Sequence, residues 1–262
     1  MRYLVLLPGT YDAEPNSRYP VLFLLHGGFG APDDWVRQSH LAEYARDSNL
    51  IIVMPQGDNS YYVNAALRPE DRYEDYVVDD LSSDVQSQYR AVAHGAAIAG
   101  VSMGGFGALD LGLKHSDRYS FVGSISNAAD APDRRFSFHR FGQSWRLRRT
   151  FGPKGSVTQI ESSPFFLIKS IKDPTHLPFI FQACGRSDSL IGVNRRLDAA
   201  LTRGHIVHTY RESDGAHDWG YWDVALKDML QELKSRLQLE AWKDSADRNV
   251  HPTEPLQLQH RR

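Results

Sequence analysis

The chain has 262 residues, of which 41% are hydrophobic and 24% are charged, and this length can bury a sizeable core in one large domain or two small ones. Its formal net charge of −2 excludes a broad basic face, so we expect a small-molecule ligand and no nucleic-acid partner. The single cysteine excludes an internal disulfide framework and a multi-cysteine zinc site.

The N-terminal stretch "MRYLVLLPGTYDAEP" is typical of a strand rather than of a targeting signal. It lacks the basic, apolar and small-residue segments of a signal peptide. The longest apolar runs, such as "VLFLL" at 21–25, are too short to span a bilayer. We therefore expect a cytoplasmic protein without a membrane span, unless a leader has been removed from this chain.

Apolar runs of strand length alternate with segments of helical period along the chain. The runs lack polar alternation, which is typical of strands covered on both faces in a parallel sheet. Helical periodicity is clearest from Trp222 to Leu237. This alternation predicts an α/β fold with a mostly parallel central sheet flanked by helices. The predicted strands cover 3–7, 21–26, 50–55, 95–100, 120–126, 179–185 and 205–212.

Two stretches interrupt the alternation. Residues 129–176 are rich in Arg, Phe, Pro and Ser, and we expect them to form a cap-like insertion in a single domain of residues 1–242. Residues 243–262 are polar and contain two prolines, which predicts a disordered tail.

The sequence "GVSMGG" at 100–105 lies between an apolar run and a helical pattern. Glycine is costly at a helix start unless the turn requires it. A G-x-S-x-G turn between a strand and a helix projects its serine hydroxyl beyond the sheet, where the hydroxyl can act as a nucleophile. The strand-to-helix context predicts that Ser102 is a nucleophile rather than a structural turn residue.

A serine nucleophile requires a base that is itself held by an acid. In this architecture the acid and the histidine follow the serine in that order, each after a later strand. Asp188 follows the predicted strand 179–185, and His217 lies in a glycine-containing loop after 205–212. We therefore predict Asp188 as the acid and His217 as the base.

Other titratable residues near these positions are weaker candidates. Asp214 and Asp218 are close to His217 in sequence. A carboxylate so near in the chain can rarely be oriented to hydrogen-bond the histidine ring as the acid of a triad does. His205 and His208 lie on one strand at a spacing that points them to opposite faces, so they do not form a metal pair. We expect neither a metal nor an organic cofactor.

The glycine-rich stretch "LLHGGFGAPDDW" follows an early strand, the place from which an oxyanion donor usually comes. The predicted oxyanion donors are the Gly28 and Met103 amides, and His26 is interpreted as a structural residue. Trp35, Tyr61 and Trp219 lie in loops or at helix starts, and we predict that they contact substrate. Packing beneath loops is the alternative for each of these aromatic residues.

Taken in order, "LLHGGFGAPDDW", "GVSMGGFGAL", "CGRSD" and "GAHDWGYW" resemble an esterase family of α/β-hydrolases over about residues 2–238. The family includes tributyrin esterases, esterase D, feruloyl and acetylxylan esterases and the antigen 85 mycolyltransferases. The resemblance implies the α/β-hydrolase fold, with Ser102, Asp188 and His217 as the triad and Gly28 and Met103 as the oxyanion donors.

The chain departs from this family in three ways. Its substrate loop at 59–76 differs, and the extra N-terminal strand that family members usually have before 2–7 is missing or trimmed here. The chain also lacks the cysteine-bearing oxyanion-loop pattern of esterase D. The resemblance therefore indicates the reaction mechanism more firmly than it indicates the substrate. The leading hypothesis is a serine carboxylesterase acting on small or short-acyl esters, with aryl, feruloyl or acetyl-sugar esters as options. The alternatives are an acyltransferase with the same triad and a binding protein without catalysis. No pattern indicates an oligomeric state.

Overall fold

The computed structural model describes residues 1–46, 48–137, 139, 141–244 and 257–261. Its centre is a single sheet of eight strands, of which β1 to β7 match the predicted apolar runs to within a few residues at each end and β8 matches none. The strands are β1 (Tyr3–Leu7), β2 (Val21–Leu25), β3 (Ile51–Pro55), β4 (Ala96–Val101), β5 (Tyr119–Ile125), β6 (Phe179–Gly185), β7 (His208–Ser213) and β8 (Gln257–Arg261).

The strand order is β7-β6-β5-β4-β2-β3-β1-β8. All neighbours from β7 to β3 are parallel, which confirms the predicted mostly parallel sheet. Strand β1 instead pairs antiparallel with β3, although its five residues are as buried as those of β2. The apolar run indicated burial on both faces but not strand direction, since direction depends on the connection between strands.

Helices cover both faces of the sheet. They are α1 (Asp34–Gln38), α2 (Leu41–Tyr44), α3 (Tyr73–Asp75), α4 (Ser82–Gln88), α5 (Met103–Lys114), α6 (Phe141–Phe151), α7 (Val157–Glu161), α8 (Pro164–Ser170), α9 (Ile191–Arg203) and α10 (Trp219–Asp244). A π-helical turn, Tyr76–Leu81, joins α3 to α4. Apolar residues of α5 and α9 pack on one face, and those of α1, α2 and α10 pack on the other.

The structure differs from the predicted tail at both of its ends. Helix α10 continues to Asp244, and Gln257–Arg261 forms strand β8 antiparallel to β1. The described part of 243–262 is therefore helical or paired in the sheet, contrary to the prediction of disorder. The polar composition concealed this strand because pairing at a sheet edge depends on backbone groups that any residue supplies. The rest of the predicted tail, 245–256 and 262, lies outside the described residues.

The predicted insertion, 129–176, contains α6, α7 and α8. Its apolar residues join a small cluster that also includes Phe106 of α5. The Phe151 ring lies 5.5 Å from the Phe106 ring and 5.3 Å from the Tyr61 ring, centroid to centroid. The insertion is thus packed onto the helix that follows Ser102.

A partly buried ion-pair network lies at the C-terminal end of α5. Lys114 Nζ lies 2.8 Å from Asp110 Oδ2 and 3.1 Å from Glu74 Oε2. Asp110 is fully buried, and burial raises the pKa of its carboxyl to about 6 although the Lys114 ammonium acts in the opposite direction. Lys114 therefore compensates a buried acidic group that has little other compensation.

Lys114→Met is expected to lower the free energy of unfolding by about 3 kcal/mol, because it removes one partner of a buried ion pair and leaves the other uncompensated. Urea denaturation measures this change. Lys169→Met is the matched control, since Lys169 is exposed on α8, and it is expected to change stability by no more than about 0.5 kcal/mol. Equal effects of the two replacements would contradict the assigned role of Lys114.

Candidate active site

Several polar or glycine residues follow the carboxyl ends of neighbouring parallel strands. Gly28 follows β2, Ser102 follows β4, Ser126 follows β5, Asp188 follows β6 and His217 follows β7. Because these strands are parallel, their carboxyl ends lie at one edge of the sheet, where ligand sites of open α/β sheets form.

Ser102 adopts a backbone conformation that few non-glycine residues adopt. Its φ is 54° and its ψ is −112°, between the end of β4 and the start of α5. A β-carbon at Gly100 would lie 2.5 Å from the Gly104 carbonyl carbon, and one at Gly104 would lie 2.4 Å from the Leu25 oxygen. Both glycines therefore permit the close backbone approach that holds this turn.

The Ser102 hydroxyl is within hydrogen-bond distance of His217, 115 positions later in the chain. Ser102 Oγ lies 2.9 Å from His217 Nε2. On the other side of the ring, Nδ1 lies 2.9 Å from Asp188 Oδ2 and 3.1 Å from Oδ1. An ionised carboxylate only accepts hydrogen bonds, so Nδ1 carries the proton and Nε2 accepts from the hydroxyl. The structure thus brings together all three residues predicted from the sequence.

The Asp188 carboxylate is buried, with only 2% of the residue exposed. Burial alone would raise the pKa of this carboxyl. The hydrogen bonds donated by His217, by the Leu190 amide and by the Ser126 hydroxyl outweigh burial and hold the pKa below its ordinary value. The group is therefore ionised throughout the neutral range.

Ser126 and Trp222 also belong to this network, and the sequence interpretation did not identify either as a site residue. Trp222 Nε1 donates to Ser126 Oγ at 3.0 Å, and the Ser126 hydroxyl in turn donates to Asp188. The Trp222 ring stands edge-on to the His217 ring at 5.0 Å. Ser126 directly follows β5, so the strand-end rule that identified Asp188 could have found it. Trp222 carried no signal beyond the apolar stripe of a helix.

Asp214 and Asp218 have other partners. Asp214 pairs with Arg186 at 2.8 Å on the surface, and Asp218 Oδ1 accepts a hydrogen bond from the Tyr221 amide at the start of α10. Their closeness to His217 in sequence therefore does not place them against its Nδ1, which Asp188 occupies.

The loop after β2 lies beside the start of α5. A β-carbon at Gly28 would lie 4.0 Å from the Met103 β-carbon. Neither the Gly28 nor the Met103 amide donates to any residue that the structure describes, so both are available to an oxygen placed above Ser102. Asn59 Oδ1 accepts from the Phe29 amide at 2.7 Å and so fixes this loop. The sequence interpretation did not identify Asn59.

His26 lies beneath this loop and is fully buried. Burial lowers the pKa of its imidazole, so the ring is neutral at neutral pH. Its Nε2 accepts from the Gly57 amide at 2.9 Å, and Nδ1 donates to the Gly27 carbonyl at 2.7 Å. Both nitrogens thus bond to the backbone of the loops, as expected for a structural residue.

The three predicted aromatic contacts have different positions. Trp35 has no exposed surface and packs in the core against Trp219, so the prediction that it contacts substrate is wrong. Trp219 is half-buried between the Trp35 and Trp222 rings, 5.2 Å from each. Tyr61 is half-buried against Phe106 and Phe151. Tyr61 and Trp219 each retain some exposed surface.

The part of the chain that the structure describes contains no group of three or more His, Cys, Asp or Glu side chains arranged to hold a metal ion. Within the same residues, no helix combines the length and the apolar character needed to cross a membrane.

A strand-to-helix serine within reach of an imidazole, at the carboxyl edge of a mostly parallel sheet, is the arrangement found in serine hydrolases of the α/β-hydrolase fold. Residues 1–233 match the family model described as "Putative esterase". The chain belongs to this esterase family, and it is a carboxylic-ester hydrolase of the serine type.

Individual relatives include an esterase, an acyltransferase and a serine hydrolase. The chain is 30% identical over 222 residues to an acetyl esterase of Caldicellulosiruptor saccharolyticus, covering 79% of this chain and 80% of that protein. It is 24% identical over 257 residues to a diacylglycerol acyltransferase/mycolyltransferase Ag85A of Mycobacterium gordonae, covering 85% and 74%. Among solved structures it is similar to FphF, a fluorophosphonate-binding serine hydrolase of Staphylococcus aureus, with a TM-score of 0.75, 25% identity and coverage of 88% and 91%.

Proposed function

We propose that the protein hydrolyses short-acyl carboxylic esters through an acyl-enzyme formed on Ser102. The observation that carries this proposal is the continuous set of hydrogen bonds from Ser102 Oγ through the His217 ring to the Asp188 carboxylate. Serine alone is a poor nucleophile, and an oriented neutral imidazole can take up its proton as the hydroxyl attacks.

In the first half of the reaction, Ser102 Oγ forms a bond to the ester carbonyl carbon while its proton passes to His217 Nε2. The carbonyl oxygen becomes an oxyanion and accepts hydrogen bonds from the Gly28 and Met103 amides. Collapse of this intermediate breaks the bond to the alcohol, which leaves with the proton from His217. Asp188 stabilises the imidazolium between these two steps.

In the second half, water replaces the alcohol. His217 takes a proton from the water as the water oxygen attacks the acyl carbon, and the tetrahedral intermediate again places its oxyanion on the two amides. Release of the acid returns the proton to Ser102. No step requires a metal or an organic cofactor.

Short acyl groups are favoured by the similarity to an acetyl esterase. The test is a panel of nitrophenyl esters from acetate to laurate, with methyl ferulate alongside. We expect kcat/KM to be highest for acetate or butyrate and to fall with longer chains. A maximum at laurate would contradict the proposed acyl preference, and efficient cleavage of methyl ferulate would place the preference with feruloyl esters.

Acyl transfer to an alcohol is the second candidate, favoured by the similarity to the Ag85A protein. An acyltransferase would use the same acyl-enzyme but resolve it with an acceptor alcohol instead of water. Product analysis with nitrophenyl acetate in the presence of glycerol separates the two functions. We expect free acetate to dominate, whereas predominant glyceryl acetate would favour the transferase.

We expect kcat/KM for nitrophenyl acetate to fall as the pH is lowered below neutrality, because only the neutral imidazole accepts the serine proton. Asp188 has a pKa held below its ordinary value, so its protonation adds no second decrease near neutrality. A pH–rate profile measures this dependence. Rates that are constant below neutrality, in an enzyme that remains folded, would exclude His217 as the base.

A further inference from the structure

A cleft lies within the insertion, outside the Ser102–His217–Asp188 network. Its volume is about 560 Å³, the size of a small-molecule site. Buried apolar side chains from the 3₁₀ turn at Ala131–Asp133 and from α6 form its floor, and basic side chains rise around it. The apolar floor residues include Ala131, Pro132, Leu147 and Phe151, and the basic residues are Arg134, Arg135, Arg148 and Lys154.

The positive charge of this cleft is only partly compensated. Arg134 pairs with Asp130 at 2.7 Å. The remaining acid of the cleft, Asp133, accepts hydrogen bonds from Gln159 at 2.7 Å and from Ser163 at 2.8 Å. Among the described residues, Arg135, Arg148 and Lys154 have no carboxylate partner. Within the part of the chain that the structure describes, the cleft thus presents three cations without a carboxylate partner, against one carboxylate that already has neutral donors.

The sequence shows the same excess of positive over negative charge. Between positions 130 and 154 there are seven Arg and Lys residues and two Asp residues, in a chain whose overall charge is −2. The positive charge is therefore concentrated in this segment. Basic side chains around a concave apolar surface attract anionic ligands, and arginine is well suited to carboxylates.

The cleft lies against the first turn of α5, the helix that begins directly after Ser102. Phe151, at the cleft, contacts Phe106, and the Phe106 amide donates to the Ser102 carbonyl at 3.0 Å. Ala131 of the cleft donates to the Ala128 carbonyl. The Arg146 guanidinium of α6 lies 4.8 Å from the centre of the Phe29 ring, and Phe29 directly follows Gly28 in the chain. One helix of the insertion therefore contacts both the cleft and the loop that bears the oxyanion donor.

We infer that this cleft binds a carboxylate or similar anionic group on the substrate, so that the preferred substrates are short-acyl esters with a negatively charged acid or alcohol portion. The inference rests on the proposed esterase function, because it names the substrate class of the same site. The apolar floor takes the carbon skeleton between the ester and the anion, and Arg148 and Lys154 hold the anion at the exposed rim.

Two pairs of esters, each with one anionic and one neutral member, test this inference. Para-acetoxybenzoate and its methyl ester place the charge on the alcohol portion. The nitrophenyl monoester of adipic acid and the same ester with a methylated second carboxyl place it on the acid portion. Each ester is compared between enzymes, so differences in intrinsic reactivity cancel, and the responding pair identifies the portion that enters the cleft.

The decisive variant is Arg148→Gln combined with Lys154→Gln. We expect it to lower kcat/KM for at least one anionic ester about tenfold and to leave its neutral partner within about twofold, with the difference shrinking as salt is added. Lys169→Gln combined with Lys172→Gln is the matched control, because both lysines are exposed in the same insertion and the net charge change is the same. Equal effects of the two double variants, or a parallel loss on neutral and anionic esters, would overturn the inference.

A binding measurement distinguishes failure of the cleft from failure of the esterase function. Calorimetry with terephthalate reports the cleft without any turnover, and we expect the cleft double variant to bind it about tenfold more weakly than the wild type and the control variant do. If no ester is hydrolysed, the esterase proposal fails and the binding result alone decides the cleft. If neutral esters are hydrolysed but terephthalate affinity is unchanged in the cleft variant, only the cleft inference fails.

Discussion

Ser102→Ala is expected to reduce kcat for nitrophenyl acetate by a factor on the order of 10³ or more, because it removes the only oxygen that lies within hydrogen-bond distance of His217 Nε2 among the described residues. The strained backbone conformation at position 102 is equally costly for alanine and serine, so the free energy of unfolding should change little. Steady-state kinetics and urea denaturation measure the two effects.

The matched control for this replacement is Ser87→Ala, since Ser87 is exposed on α4 and its hydroxyl bonds only to the local backbone of the described residues. It should retain wild-type turnover. A fluorophosphonate probe provides an independent readout, because it labels an activated serine stoichiometrically. Mass spectrometry should locate the adduct on Ser102 in the wild type, and an adduct on another serine would move the nucleophile elsewhere.

Asp188→Asn is expected to lower kcat by about 10³-fold or more while the protein remains folded. An amide presents a neutral group to His217 Nδ1, so the working tautomer and the imidazolium both lose their stabilisation. The Leu190 amide and the Ser126 hydroxyl still find an acceptor oxygen in the asparagine side chain, which limits the loss of stability.

Asp214→Asn and Asp218→Asn make the same chemical change beside His217 in sequence. Each should stay within about tenfold of the wild type, which corresponds to roughly 1.4 kcal/mol in the barrier. The comparison is the kcat of the three purified variants on nitrophenyl acetate, with circular dichroism as the check of folding. If Asp188→Asn kept near-normal turnover while Asp214→Asn or Asp218→Asn lost its turnover, the catalytic acid would be the aspartate replaced in the inactive variant.

Much of the arrangement around Ser102 was predictable because its components are local. An apolar run of five to seven residues indicates a buried strand, and the glycines of "GVSMGG" indicate a turn that only small residues permit. Once the strands are known to be parallel, a residue just after any of them must lie at the same edge of the sheet. For this reason Asp188 and His217 could be placed beside Ser102 before any contact was known.

Trp35 shows where this reasoning fails. Its sequence context, just inside a short helix after a glycine-rich loop, is compatible with a ligand contact and equally with burial. Burial is decided by Trp219 and α10, which begins more than 180 positions later and covers the Trp35 ring. The hydrogen bond from Trp222 to Ser126 spans 96 positions and was equally inaccessible to pattern analysis. Long-range packing of this kind leaves no local trace in either partner.

Local chemistry is therefore sufficient for the strands, the strained serine turn and the chain order of Ser102, Asp188 and His217, since each depends on a few neighbouring residues and on the direction of parallel strands. Other features needed the folded chain. The burial of Trp35, the Ser126 link to Asp188, the pairing of β8 with β1 and the unpaired cations of the cleft arise when distant segments meet. Whether a side chain is covered, paired or free is a property of its neighbours in space, and a charge such as Arg148 has the same sequence signature in all three cases.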